Sequence, residues 1–129
     1  MIRFEHPAPE DPSEAWALIA TPARWPEWAP HVGGAWGLGE PEVEHGRTGA
    51  ARLFGLLPVP ARITGKTPGR DWTWQVGPVR MRHWVAAGAV GIDLTAPGPL
   101  EPALAAGYGP VIRWSLRRLA DRAEAQPSV

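Results

Sequence analysis

The run from Trp72 to Thr95, WTWQVGPVRMRHWVAAGAVGIDLT, fits one strand register and constrains the fold through it. A two-residue loop at Gly77 and Pro78 sets Val76 opposite Val79, Trp74 opposite Met81 and Trp72 opposite His83. A second loop at Ala87 and Gly88 sets Val85 opposite Val90, His83 opposite Ile92 and Met81 opposite Leu94. Both turns leave the same face apolar, and a slip of one residue at either would turn that face to water. The other face carries Thr73, Gln75, Arg80, Arg82 and Trp84, with Arg82 opposite Asp93, an opposite-charge pair worth about 0.2–1 kcal/mol. The segment is therefore expected to be an antiparallel meander with one buried face.

Upstream, short β-type runs separated by glycine or proline turns extend this meander from about residue 32. A further hairpin is expected from Gly49 to Thr67 around Leu57 and Pro58. There LLPVP allows a loop of two or three residues, and the faces of Arg52, Phe54 and Arg62 stay open. Ahead of the strands, Asp11, Pro12 and Glu14 form a helix-start pattern that places the first helix at Asp11. Ala15, Trp16, Leu18 and Ile19 form its apolar stripe, and Thr21 and Pro22 stop it. A second short turn carries Trp25 and Trp28, three apart between prolines, and makes a packed corner whose following loop can border a cavity mouth.

After APGP at 96–99 the helical period returns and runs to Ala125. Leu104, Tyr108, Val111, Ile112, Ser115, Leu116, Leu119 and Ala123 fall within an arc of roughly 140°, with Arg113, Arg117, Arg118 and Asp121 opposite. Gly107, Gly109 and Pro110 predict a kink or loop, with Pro110 opening the longer final helix. The tail after residue 125 is expected to fray.

At 129 residues the chain is one domain long, residues 1–129, and its 44% hydrophobic content suffices for a core without a membrane-spanning run. Thirteen basic residues balance thirteen acidic ones, so no overall field draws it to nucleic acid or an anionic membrane. With no cysteine, disulfides and thiolate metal sites are excluded, and MIRFEHPAPE lacks the apolar stretch of a secretion signal, which makes the cytoplasm the expected location. His6, His31, His45 and His83 are scattered without metal-site spacing, and GGAWGLGE at 33–40 lacks the lysine and the strand-to-helix context of a phosphate cradle. Neither metal nor cofactor is expected. The eight tryptophans each need a large apolar surroundings and an indole partner, and their number suggests that some line a space.

The order of short strand, two short helices, meander and long C-terminal helix, together with AWALIATPARWPEWAPHV at 15–32, P-G-R-x-W-x-W at 68–74 and LRRLADRAE at 116–124, resembles the START-like, helix-grip superfamily. The resemblance is specifically to its SRPBCC group of polyketide cyclase/dehydrase type. It implies an α+β fold in which a curved antiparallel sheet wraps the long helix around an elongated apolar cavity for a lipid, sterol, hormone or polyketide. The motifs are those of a fold and include no catalytic signature. The short first strand and the minimal VAAGAVG hairpin imply a smaller or more open cavity than in the larger aromatase/cyclase members.

On that fold Trp72, Trp74, Met81, His83, Ile92 and Leu94 face the cavity from the sheet, and Tyr108, Ile112 and Ser115 from the helix. His83 and Tyr108 are the candidate acid–base residues. Against each stands a plainer role: a histidine satisfied by a carbonyl or water, a serine bonded to its own helix, aromatic rings that simply pack. Trp16, Trp25 and Trp28 are assigned to the corner. Trp84 and Trp114 fall on outer faces and suggest a homodimer contact or tryptophans covered by arginine stems. The leading expectation is a protein that binds a hydrophobic small molecule, with no nucleic acid and no membrane insertion. The alternatives are a cyclase/dehydrase or aromatase enzyme, and a protein-partner module with a filled core and an apolar patch near Trp84 or Trp114.

Overall fold

The computed structural model describes residues 1–54 and 57–125. Seven strands form one antiparallel sheet: β1 (Ile2–Pro7), β2 (Val32–Trp36), β3 (Thr48–Leu53), β4 (Leu57–Thr67), β5 (Asp71–Val76), β6 (Val79–Ala86) and β7 (Ala89–Thr95). Their order is β1-β7-β6-β5-β4-β3-β2. Between β1 and β2 lie α1 (Ser13–Ala20), a 3-10 turn (Pro22–Arg24) and α2 (Trp25–Trp28), and α3 (Leu100–Ala125) follows β7. The expected α+β arrangement of a sheet, two short helices and a long C-terminal helix is the one observed.

The β5–β6–β7 registers match the sequence reading pair for pair, from Val76 and Val79 to Val85 and Val90. Cross-strand rows on the inner face then follow: Phe4, Ile92, His83 and Trp72 in one, and Ile2, Leu94, Met81, Trp74 and Ile63 in the next. Alternation also resolves the earlier hairpin. Ala61 and Ile63 are buried, whereas Arg52 and Arg62 are exposed. The reversal does not lie at Leu57 and Pro58, because both belong to β4 and Leu57 pairs with Leu53. Phe54, at φ 52°, begins the reversal and is 64% exposed.

Two helix expectations change. The first helix starts at Ser13 rather than Asp11, and the Asp11 carboxylate accepts a bond from the Ser13 amide at 2.9 Å just ahead of it. The C-terminal helix continues through Pro110 without a loop. Proline removes one backbone donor there, but residues on both sides of it, Tyr108 and Ile112, pack into the interior and hold the two turns in line. The expected fraying of 126–129 falls outside the described residues.

The carbonyls of the last three residues of α1, which a helix leaves without internal partners, are taken. Trp28 Nε1 donates to Leu18 O at 2.8 Å, and Trp25 and Trp72 both donate to Ile19 O, at 2.9 and 3.0 Å. The Val43 amide donates to Ala20 O at 2.9 Å. Indole protons thus fasten the corner and the sheet to one helix end.

The outer face is held by charge. Asp93 accepts from Arg3 at 2.8 Å, from Arg82 at 3.2 Å and from Trp84 Nε1 at 3.2 Å, and Arg82 also reaches Asp71 at 2.9 Å. Burial alone would raise the Asp93 pKa, but the bonds from Arg3, Trp84 and Arg82 bring it below the usual value. Trp84 is only 8% exposed: the Arg3 guanidinium lies 5.1 Å above its ring, and the ring presses on Gly91, where any Cβ would collide with it. Of the two tryptophans expected on outer faces, Trp84 is therefore the one covered by an arginine, while Trp114 is 46% exposed.

Gly91→Ala is expected to lose about 1–3 kcal/mol through this collision. Gly65→Ala, where a Cβ meets open space, should change stability by less than about 1 kcal/mol. Urea unfolding of both variants checks this, and a Gly91→Ala protein as stable as the parent would refute the account of the outer face.

Candidate functional site

A cavity of about 40 Å³ lies between the concave face of the sheet and α3. Strand alternation points Trp72 and Trp74 of β5, Met81 and His83 of β6 and Ile92 of β7 into it. Helical spacing brings Tyr108, Ile112 and Ser115 to it from the other side. Leu94 shares the inner face but does not line the cavity. It sits one row away from Ile92, between Ile2 and Met81 in the ladder, and is spent on solid core.

Six contributors were not expected in that role, Ala29, Val32 and Leu53 among them. Trp25 and Trp28, assigned to corner packing, also line the cavity, and so does His31 from the loop that follows them. His31 Nε2 and the Tyr108 hydroxyl are 2.6 Å apart. The corner therefore supplies a wall as well as a joint. The one available signal was the position of His31 directly after the Trp28 turn, in the loop expected to border the mouth.

The aromatic wall has a definite geometry. His83 stacks on Trp72 with ring centres 3.8 Å apart and planes 7° from parallel, and Trp25 continues the stack on Trp72 at 5.3 Å and 12°. Trp74 stands edge-on to all three, between 84° and 88° from their planes. Near the half-buried His31, Leu53 and Tyr108 the lining approaches solvent, and Phe54 packs its ring 5.8 Å from that of His31.

Electrostatically the site is neutral. Among the described residues its lining includes no Lys, Arg, Asp or Glu. Burial pushes His83 down to about 3; the carbonyls of Trp72 and Met81 pull the other way, without a bond of good geometry to Nδ1. Burial also lowers His31 and pushes the Tyr108 phenol up to about 12. Near neutral pH both imidazoles are uncharged and the phenol keeps its proton. When Tyr108 donates to His31 Nε2, the remaining imidazole proton sits on Nδ1. Ser115 Oγ makes no bond to its own helix and is buried without a partner. Among the described residues no group of three His, Cys, Asp or Glu is placed to hold a metal ion, and no helix is long and apolar enough to cross a membrane.

Acid stability should report this environment. His83 is depressed to about 3 in the folded state against 6.5 when unfolded, so the unfolded chain takes up the proton first. The stability tied to its neutral form is complete above pH 6.5 and is lost as pH falls toward 3, and His31 shifts in the same direction. The urea midpoint of His83→Phe is expected to fall less steeply over this range than that of the parent. Ring resonances of His83 should not titrate between about pH 5 and 8; a midpoint near 6.5 would contradict the burial.

No protein-family profile matches the chain, and no curated protein matches it in sequence. Solved structures do match in fold. A protein from Staphylococcus saprophyticus superposes with a TM-score of 0.76 at 11% identity, over 99% of this chain and 94% of the other. A START superfamily protein from Mycobacterium smegmatis gives 0.63 at 11% identity, over 96% and 97%. DynU16, a protein of the dynemicin biosynthetic locus, gives 0.66 at 17% identity, over 92% of this chain and 46% of its own. With the sheet order and the gripped C-terminal helix, these likenesses identify the chain as having the START-like, helix-grip fold.

Proposed function

We propose that the protein binds a hydrophobic small molecule in the cavity between the sheet and α3. The observation that carries this reading is an aromatic-walled space, free of charged side chains among the described residues, at the centre of the grip. Its contacts would come from Trp72, Trp74, Met81, His83 and Ile92 on the sheet, and from Tyr108, Ile112 and Ser115 on the helix. Trp25 and His31 complete it from the corner. A volume of about 40 Å³ holds a few water molecules, whereas pockets for drug-sized ligands span roughly 300–1,000 Å³. Binding therefore widens the cavity. Met81 is suited to yield, because its side chain is unbranched and adaptable.

Binding fits the titration behaviour better than a cyclase or dehydrase role for His83 and Tyr108. A general acid or base works best with a pKa near the working pH. His83 at about 3 is a weak base and Tyr108 at about 12 a weak acid, and no carboxylate in the described lining orients either. A partner-binding module, the other alternative, loses part of its expected apolar patch because Trp84 is covered.

Native mass spectrometry of the protein purified from its own host is expected to show a retained organic molecule. Ser115→Leu, which extends a side chain into the cavity, should abolish the adduct while circular dichroism still reports the folded chain. A folded parent protein that carries no adduct, and takes none up from an extract of host metabolites, would overturn the reading.

A further inference from the structure

Five buried side-chain polar atoms among the described residues have no hydrogen-bond partner. One, Glu14 Oε1, is in an ion pair with Arg24. The other four, His31 Nδ1, Trp74 Nε1, His83 Nδ1 and Ser115 Oγ, all belong to residues that line the cavity. Orphaned polar groups are uncommon in native interiors, and four around one space indicate a shared purpose. They come from separate elements: the loop after α2, β5, β6 and α3.

Resting on the binding reading above, we propose that the cavity selects an uncharged, ring-sized molecule carrying hydroxyl or carbonyl oxygen, held by Trp74, His83, Ser115 and His31. The chemistry of each atom sets the match. An indole N–H only donates, so the ligand must present an acceptor to Trp74. A serine hydroxyl donates or accepts, and a neutral imidazole Nδ1 does either according to its tautomer. An alcohol, phenol or ketone oxygen satisfies such a set. A carboxylate or phosphate does not, because no cation in the described lining would offset its desolvation, and the imidazoles stay neutral near pH 7. An amine meets the same obstacle with the opposite sign. A bare hydrocarbon fits the wall but leaves all four atoms unpaired. Ring size follows from the small resting space, which a single ring enlarges least.

The test uses phenol, benzene and benzoate as matched probes at pH 7.5, followed by two-dimensional NMR of the full chain. The Trp74 indole resonance is identified by its loss in Trp74→Phe. Phenol is expected to shift that resonance and to bind at least about threefold more tightly than benzene. Benzoate should bind at least about tenfold more weakly than phenol. Ser115→Ala should reduce the advantage of phenol over benzene. Equal affinity for phenol and benzene, or benzoate as tight as phenol, overturns the selectivity while binding in the cavity stands. Silence of all three probes at the cavity resonances overturns the inference as well, and the native mass spectra then decide the binding reading by themselves.

Discussion

The carbonyl of Ile19 accepts two indole protons, one from Trp25 in the corner and one from Trp72 in the sheet. It sits at the C-terminal end of α1, where carbonyls are left over and the helix dipole favours a donor. Because both indoles converge on one oxygen, their rings are brought nearly parallel, and His83 extends the stack on the far side of Trp72. Trp28, bonded to the carbonyl of Leu18, completes the anchoring. One helix end thus fixes how the corner meets the sheet, and with it the position of the wall that faces α3. Truncating Trp72 would remove a buried ring, a helix cap and the support of His83 together.

The two faces of the sheet divide the chemistry. The outer face carries a charged network, in which Arg3, Arg82, Asp71 and Asp93 tie four strands across the ladder. The cavity lining, among the described residues, keeps polar atoms but no charge, and burial rather than ion pairing shifts its histidines. On the proposed binding role, such an interior would hydrogen-bond a neutral guest rather than move protons near pH 7. The Tyr108–His31 contact ties the middle of α3 to the corner loop and links the mouth to both.

Much of this was legible in the chain. The β5–β6–β7 register was readable because two short turns and period-two alternation agree over the whole segment, and the resemblance in order and motifs gave the helix-grip frame. His83 could be placed on the inner face for the same reason. What escaped the sequence depends on contacts between distant residues. His31 meets Tyr108 only when the corner closes on α3, and Arg3 covers Trp84 only once β1 pairs with β7. Pro110 is a local helix breaker whose effect is overridden by packing on both sides, and Leu94 has the correct face but lies in a row that the core fills. Trp25 and Trp28 serve as cap donors and cavity wall at once, and spacing along a chain does not separate those roles.

The most direct measurement is a high-resolution crystal structure of the protein purified from its own host. The account predicts density for a neutral organic molecule within hydrogen-bonding distance of Trp74 Nε1, His83 Nδ1 and Ser115 Oγ. An interior in which those atoms bond to one another or to backbone carbonyls, with no space left between the sheet and α3, would contradict it.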